Sequence, residues 1–98
     1  MGAHGGKVAV VTGGAKGIGR GCVERFVRDG ANVVIADVDV DAARALEREL
    51  GPAAYAVRCD VTDEASVQAM IEATVQRFGG VDIVVNNAGI IMVSPLVD

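Results

Sequence analysis

The residues best equipped for chemistry in this sequence are Thr12-Gly13-Gly14-Ala15-Lys16-Gly17-Ile18-Gly19, a glycine-rich turn set between a short apolar run, Val8 to Val11, and an amphipathic helical pattern. A turn of this kind builds a pocket for a diphosphate. Gly13 lets the backbone swing out of a strand, Gly17 leaves no Cβ between the main chain and an incoming pyrophosphate, and Gly19 lets the following helix lie close on the sheet. The N–H groups that open that helix have no intrahelical acceptor, and the positive end of the helix dipole adds to their attraction for phosphate oxygens.

Asp37 closes a second apolar run, Val33-Val34-Ile35-Ala36, 20 residues beyond Gly17. A carboxylate there accepts both hydroxyls of an adenosine ribose and repels a 2′-phosphate. The plainer role, capping the next helix, falls better to Asp39 and Asp41. The run Asp37-Val38-Asp39-Val40-Asp41 also mimics the start of a calcium loop, but Ala42 stands where that loop needs glycine and Arg48 where it needs glutamate, so calcium is excluded. Other reactive residue types read as structural. The only tyrosine, Tyr55, lies in a strand pattern, where an aromatic is a good strand former. Cys22 and Cys59 have no metal-ligand spacing and read as reduced thiols in or near the core, and the single His4 sits in a glycine-rich start. Ser94 has no histidine or lysine nearby to activate it and reads as a helix cap.

The elements that hold these residues follow from hydrophobic periodicity. Runs rich in Val and Ile at Lys7 to Thr12, Asn32 to Asp37, Ala54 to Cys59 and Asp82 to Asn86 alternate with helical patterns, which means βαβ units and a parallel sheet. In the first helix Ile18, Cys22, Val23, Phe26 and Val27 repeat at three- and four-residue steps, with Gly30 as terminator. In the second, Ala42, Ala45, Leu46 and Leu50 share a face, and Gly51-Pro52 stop it. The third is expected to have Thr62 as its N-cap, a stripe of Val67, Met70, Ile71, Thr74, Val75 and Phe78, and Gly79-Gly80 at its end. Ser94-Pro95-Leu96-Val97-Asp98 then carries the signature of another helix start, with a serine cap, proline at the first helical position and an acid in the first turn. With no helix behind that signal, the sequence is expected to be a truncated N-terminal part of a larger α/β fold.

The 98 residues, 51% hydrophobic and 22% charged, fit one soluble globular domain over 1–98, with residues 1–6 expected to be disordered. A net charge of −4 and scattered basic residues argue against nucleic acid as a partner. No run approaches the roughly 20 apolar residues of a membrane span, and the N-terminus has no signal-peptide core, so no membrane association and a cytoplasmic address are expected.

From Lys7 to Asp98 the chain resembles the short-chain dehydrogenase/reductase family. The resemblance rests on Thr-Gly-x-x-x-Gly-x-Gly at Thr12 to Gly19, on Asp37, on Cys59-Asp60-Val61 and on Asn86-Asn87-Ala88-Gly89, in that order. It implies the N-terminal half of a Rossmann-type doubly wound parallel sheet, with strands arranged 3-2-1-4. It also implies a dinucleotide cofactor, with Gly13, Lys16, Gly17, Ile18 and Gly19 around its pyrophosphate and ribose and Asp37 on the adenosine ribose. Asp60 would bond the adenine amino group with Val61 against the ring, and Asn87, Ala88 and Gly89 would line the path toward the nicotinamide ribose. That Gly13, Asp37, Asp60 and Asn87 all fall at strand ends agrees with the general rule for ligands of parallel sheets; a strand-terminating turn is the plainer account of Asn86-Asn87. In relatives a basic residue at the position of Lys16 sometimes meets the 2′-phosphate of NADP, whereas an acid at Asp37 favours NAD, and NAD is expected because a carboxylate facing a phosphate costs more than one flexible lysine returns.

Family members move a hydride between nicotinamide and an alcohol or carbonyl, using a tyrosine, a lysine four residues later and a serine. Four residues after Tyr55 stands Cys59, so Tyr55 does not meet that motif. Catalysis and the substrate pocket are therefore expected to lie outside this segment, which is not expected to bind substrate alone. A non-catalytic nucleotide-binding or interaction module is the alternative. A methyltransferase is disfavoured, because three residues between Gly13 and Gly17 suit a dinucleotide turn better. With Asp82 to Asn86 left as a bare apolar edge, the chain is expected to self-associate or fold only in part.

Overall fold

Valine and isoleucine, stiff at χ1 and at home on a pleated surface, set four parallel strands. These are β1 (Val8–Thr12), β2 (Asn32–Asp37), β3 (Ala54–Arg58) and β4 (Ile83–Asn86), separated by α1 (Gly17–Arg28), α2 (Val40–Leu50) and α3 (Glu64–Phe78). A final strand, β5 (Gly89–Met92), follows. The structure, a computed structural model, describes residues 6–86 and the backbone of 89–92. The helix start expected at Ser94 to Asp98 lies outside the described residues, as do residues 1–5.

The sheet runs β3-β2-β1-β4-β5, the order expected for a doubly wound fold with one strand added. Central β1 is parallel to β2 from Val8↔Asn32 to Thr12↔Ala36 and to β4 from Ala9↔Ile83 to Val11↔Val85. Alternate residues of a strand face opposite sides, so β1 feeds two cores. Ala9 and Val11, with Val33 and Ile35, pack under α1 and α2 against Val23, Ala43 and Leu46. Val10, with Val34 and Ala36, packs on the α3 side against Met70 and Val81. Burial on both faces is why β1 and β2 read as continuous apolar runs.

Four expectations are corrected here. The edge of β4 is not bare: β5 pairs with it antiparallel, from Ile83↔Met92 to Asn86↔Gly89. The outward N–H and C=O groups of β4 must find partners, and Gly89-Ile90-Ile91-Met92 is the nearest run able to supply them. On α2, Ala45 faces solvent and Ala43 takes its place in the core, on the face that Leu46, three residues on, also buries. Val75 is 40% exposed at the margin of the α3 stripe, which centres on Met70 and Thr74. Asp63, not Thr62, is the N-cap of α3, its carboxylate accepting from the Ala65 N–H at 3.0 Å; a carboxylate also answers the helix dipole, which a hydroxyl does not. Gly30, Gly51 and Gly79 follow the ends of the three helices as the sequence predicts.

Candidate functional site

The C-terminal ends of β1, β2 and β3 lie side by side, and the three strand-to-helix corners they begin form one edge of the molecule. β1 closes at Thr12, whose buried hydroxyl donates to the Val85 carbonyl at 3.3 Å and ties that end to β4. Gly13 then turns with φ of 65° and donates its N–H to the Ala36 carbonyl at 2.7 Å. A side chain at that φ would be strained, so the exit from β1 needs glycine. Gly17 has φ of 57°, and a Cβ built there meets nothing within 4 Å. Its glycine is thus required by the backbone, and the space in front of it is open.

Gly19 acts differently from the sequence expectation. A Cβ on Gly19 would run into the Gly13 carbonyl, lying 2.8 Å from its carbon and 3.1 Å from the Gly14 Cα, so this glycine packs α1 against the turn rather than against the sheet. Contact with the sheet belongs to Gly14, which sequence reasoning passed over. A Cβ there would lie 2.9 Å from the Val11 carbonyl oxygen, 3.1 Å from Val23 Cγ2 and 3.2 Å from Ile35 Cγ2. The adjacent-glycine spelling of the turn was the available signal.

The start of α1 is chemically unlike the other two. Its N-cap, Lys16, has extended backbone, makes no side-chain capping bond, and no acid follows in the first turn. By contrast, Asp39 caps α2 by accepting from the Ala42 N–H at 3.1 Å, and Asp63 caps α3. Among the described residues no carboxylate caps the first amides of α1, those of Gly17, Ile18 and Gly19, and the space at Gly17 is open, an arrangement able to attract an anion.

Asp37 ends β2 beside this turn. One carboxylate oxygen accepts from the Ala15 N–H at 3.1 Å and the other from the Asp39 N–H at 3.0 Å, so Asp37 joins the first corner to the second. A carboxylate offers about four acceptor positions, and the remaining ones suit hydroxyl donors. Lys16 reaches across the same gap, its Nζ 2.8 Å from Asp39 Oδ2. The Asp39 bond and charge hold the Lys16 ammonium above its ordinary pKa. The Lys16 bond, followed by the Ala42 N–H, holds the Asp39 carboxyl below its own.

At the third corner Asp60 Oδ1 accepts from the Thr62 hydroxyl at 2.7 Å and the Thr62 N–H at 2.9 Å, which lowers the carboxyl's pKa and leaves Oδ2 for a ligand. The Asp60 N–H is fixed by the Ser66 hydroxyl at 2.9 Å, and the Cys59 N–H by the Asp37 carbonyl at 3.1 Å, so the second and third corners are joined too. Three large apolar side chains stand exposed along these corners: Ile18 at 86%, Val38 at 57% and Val61 at 58%. Ile18 belongs to this group and not to the buried stripe of α1, where the sequence also placed it. Exposed apolar side chains gathered at one edge can offer a contact surface to an apolar group.

Gly13, Lys16, Gly17, Ile18 and Gly19 thus lie on the first corner, Asp37 on the second, and Asp60 and Val61 on the third. Gly89 opens β5 opposite Asn86, at the corresponding end of β4; Asn87 and Ala88 lie outside the described residues. The sequence missed Gly14, Ala15, Val38 and the pairing of Asp39 with Lys16. Tyr55 sits in β3 opposite Val34, under the Arg77 guanidinium at 4.8 Å, away from these corners. Cys22 and Cys59 are free thiols. Among the described residues no group of side chains could hold a metal ion, and no helix is long and apolar enough to cross a membrane.

Comparison with known proteins gives concordant matches. The family model described as short chain dehydrogenase matches residues 7–98. Sorbitol dehydrogenase of Cereibacter sphaeroides is 48% identical over 93 residues, covering 95% of this chain and 36% of that protein. L-fucose dehydrogenase of Oryctolagus cuniculus is 56% identical over 86 residues, covering 88% of this chain and 30% of that protein. A crystal structure of 3-ketoacyl-(acyl-carrier-protein) reductase from Brucella melitensis complexed with NADH matches with a TM-score of 0.82 at 45% identity, covering 84% of this chain and 34% of that one. The chain spans about a third of the length of these relatives.

Proposed function

The chain belongs to the short-chain dehydrogenase family, and from that premise we propose that it is the NAD-binding portion of an oxidoreductase that moves a hydride between NAD(H) and an alcohol or carbonyl substrate. The observation that carries this reading is the uncapped start of α1, opening onto free space beside Asp37. In it, Gly13, Gly14 and Gly19 shape the turn, and the amides of Gly17, Ile18 and Gly19 bind the pyrophosphate. Asp37 accepts the hydroxyls of the adenosine ribose. Asp60 takes the adenine amino group on Oδ2, with Val61 and the newly found Val38 against the ring. Asn87, Ala88 and Gly89 lead toward the nicotinamide end. The cofactor, when bound, supplies the hydride chemistry.

NAD is preferred to NADP because the Asp37 carboxylate would face a 2′-phosphate in the proposed complex. The NADH in the reductase from Brucella melitensis supports a nicotinamide dinucleotide in general. This reading also has the 98-residue chain self-associate, now through the α3 side, where among the described residues a single helix covers the second core.

Titrating NADH into the folded chain, followed by calorimetry and nicotinamide fluorescence, is expected to give saturable binding. Asp37→Asn should weaken it by about tenfold to a hundredfold, as loss of hydrogen bonds to a charged acceptor does. A cooperatively folded sample that yields neither heat nor a fluorescence change at millimolar NADH would overturn the proposal.

A further inference from the structure

Lys16 leaves the turn at the mouth of the anion site, yet its ammonium points sideways to Asp39 Oδ2, 2.8 Å away. Asp39 is itself fixed. Its Oδ1 accepts from the Ala42 N–H at 3.1 Å as the cap of α2, and its N–H donates to Asp37 Oδ1 at 3.0 Å. Asp37 Oδ2 in turn accepts from the Ala15 N–H, one residue before Lys16. Two backbone anchors and one ion pair thus close a ring around the gap between the first and second corners. The lysine in that ring lies in the field of Asp37, the acid that faces the ribose 2′ position in the proposed complex.

We infer that Asp39 is a positioning residue for cofactor selectivity, holding the Lys16 ammonium in an ion pair so that it is withheld from a 2′-phosphate. The inference rests on the proposed function and deepens it. An ammonium bonded to Asp39 must give up that contact to reach a third anion, and the neighbouring Asp37 charge also holds it in place. That pairing would have to break before Lys16 could meet a phosphate. Selectivity for NAD is in this view the work of two acids: Asp37 receives the ribose hydroxyls, and Asp39 occupies Lys16, the cation on the glycine turn.

Asp39→Asn separates the charge from the cap, since asparagine caps a helix about as well as aspartate. In the full 98-residue chain this variant is expected to raise the affinity for NADPH relative to NADH by about tenfold, and the double variant Asp39→Asn, Lys16→Gln is expected to lose that gain. A readout without nucleotide accompanies it: by NMR, the Lys16 ammonium should titrate at lower pH in Asp39→Asn than in the wild type. An unchanged NADPH-to-NADH ratio in a variant that still binds NADH overturns the inference alone. So does a gain that persists without Lys16, which would assign the effect to removal of Asp39's repulsion, and so does an unmoved Lys16 titration. Failure of the wild-type chain to bind NADH overturns the functional reading, and this inference with it.

Discussion

At Gly19 one methyl group separates a formed turn from a collision with the Gly13 carbonyl. Backbone cannot retreat as the end of a long side chain can, so Gly19→Ala is expected to cost about 1–3 kcal/mol and to lower the urea midpoint accordingly. Two residues along the same helix the argument reverses. Gly21 has nothing within 4 Å of a Cβ and no strained backbone to preserve, so Gly21→Ala is expected to stabilise by about 0.5–1 kcal/mol through helix propensity. Equal midpoints for the two variants would break this account of the turn. Both positions are plain glycine in the sequence; their opposite roles arise from what the fold brings against them.

The element most in need of protection is β3, because it ends the sheet on the side away from β5. Its outward Ala56 N–H does not face water alone: Glu47, from α2, reaches over and accepts it at 2.9 Å. The Arg20 guanidinium holds Glu49 at 3.0 Å on the same helix, joining α1 to α2 over the same core. Glu47→Ala removes the acceptor and leaves a strand edge ready to pair with another chain. Glu47→Ala is expected to lose about 1 kcal/mol of unfolding free energy, read as a lower urea midpoint, whereas Glu47→Gln is expected to keep most of the wild-type stability. An alanine variant as stable as the glutamine one would show that this contact contributes nothing.

Across the whole molecule the two faces of the sheet are covered unequally. Among the described residues α1 and α2 share one side, whereas α3 alone spans the other, leaving Val67, Ile71 and Phe78 half-buried and Val75 exposed. Apolar surface of this kind favours association. Sedimentation velocity is expected to show concentration-dependent assembly of the 98-residue chain, reduced by Val75→Lys; a monomer at all concentrations, for wild type and variant alike, would contradict it. The β4 edge, where the sequence placed this tendency, is instead occupied by β5.

Periodicity in the sequence determined the parallel α/β architecture, because strands buried on both faces must be apolar throughout and helices over them must repeat every three or four residues. That the glycine turn, Asp37 and Asp60 stand at the ends of neighbouring strands was legible for a related reason, since position at a strand end follows from where each apolar run stops. What required the tertiary structure was everything set by neighbours distant in the chain. Gly14 matters because Val23 and Ile35 close on it, Asp39 because Lys16 crosses from another corner, and β5 because the open side of β4 needed hydrogen-bond partners. Those contacts depend on how separate elements are brought together in space, and residue spacing along one chain does not encode that distance.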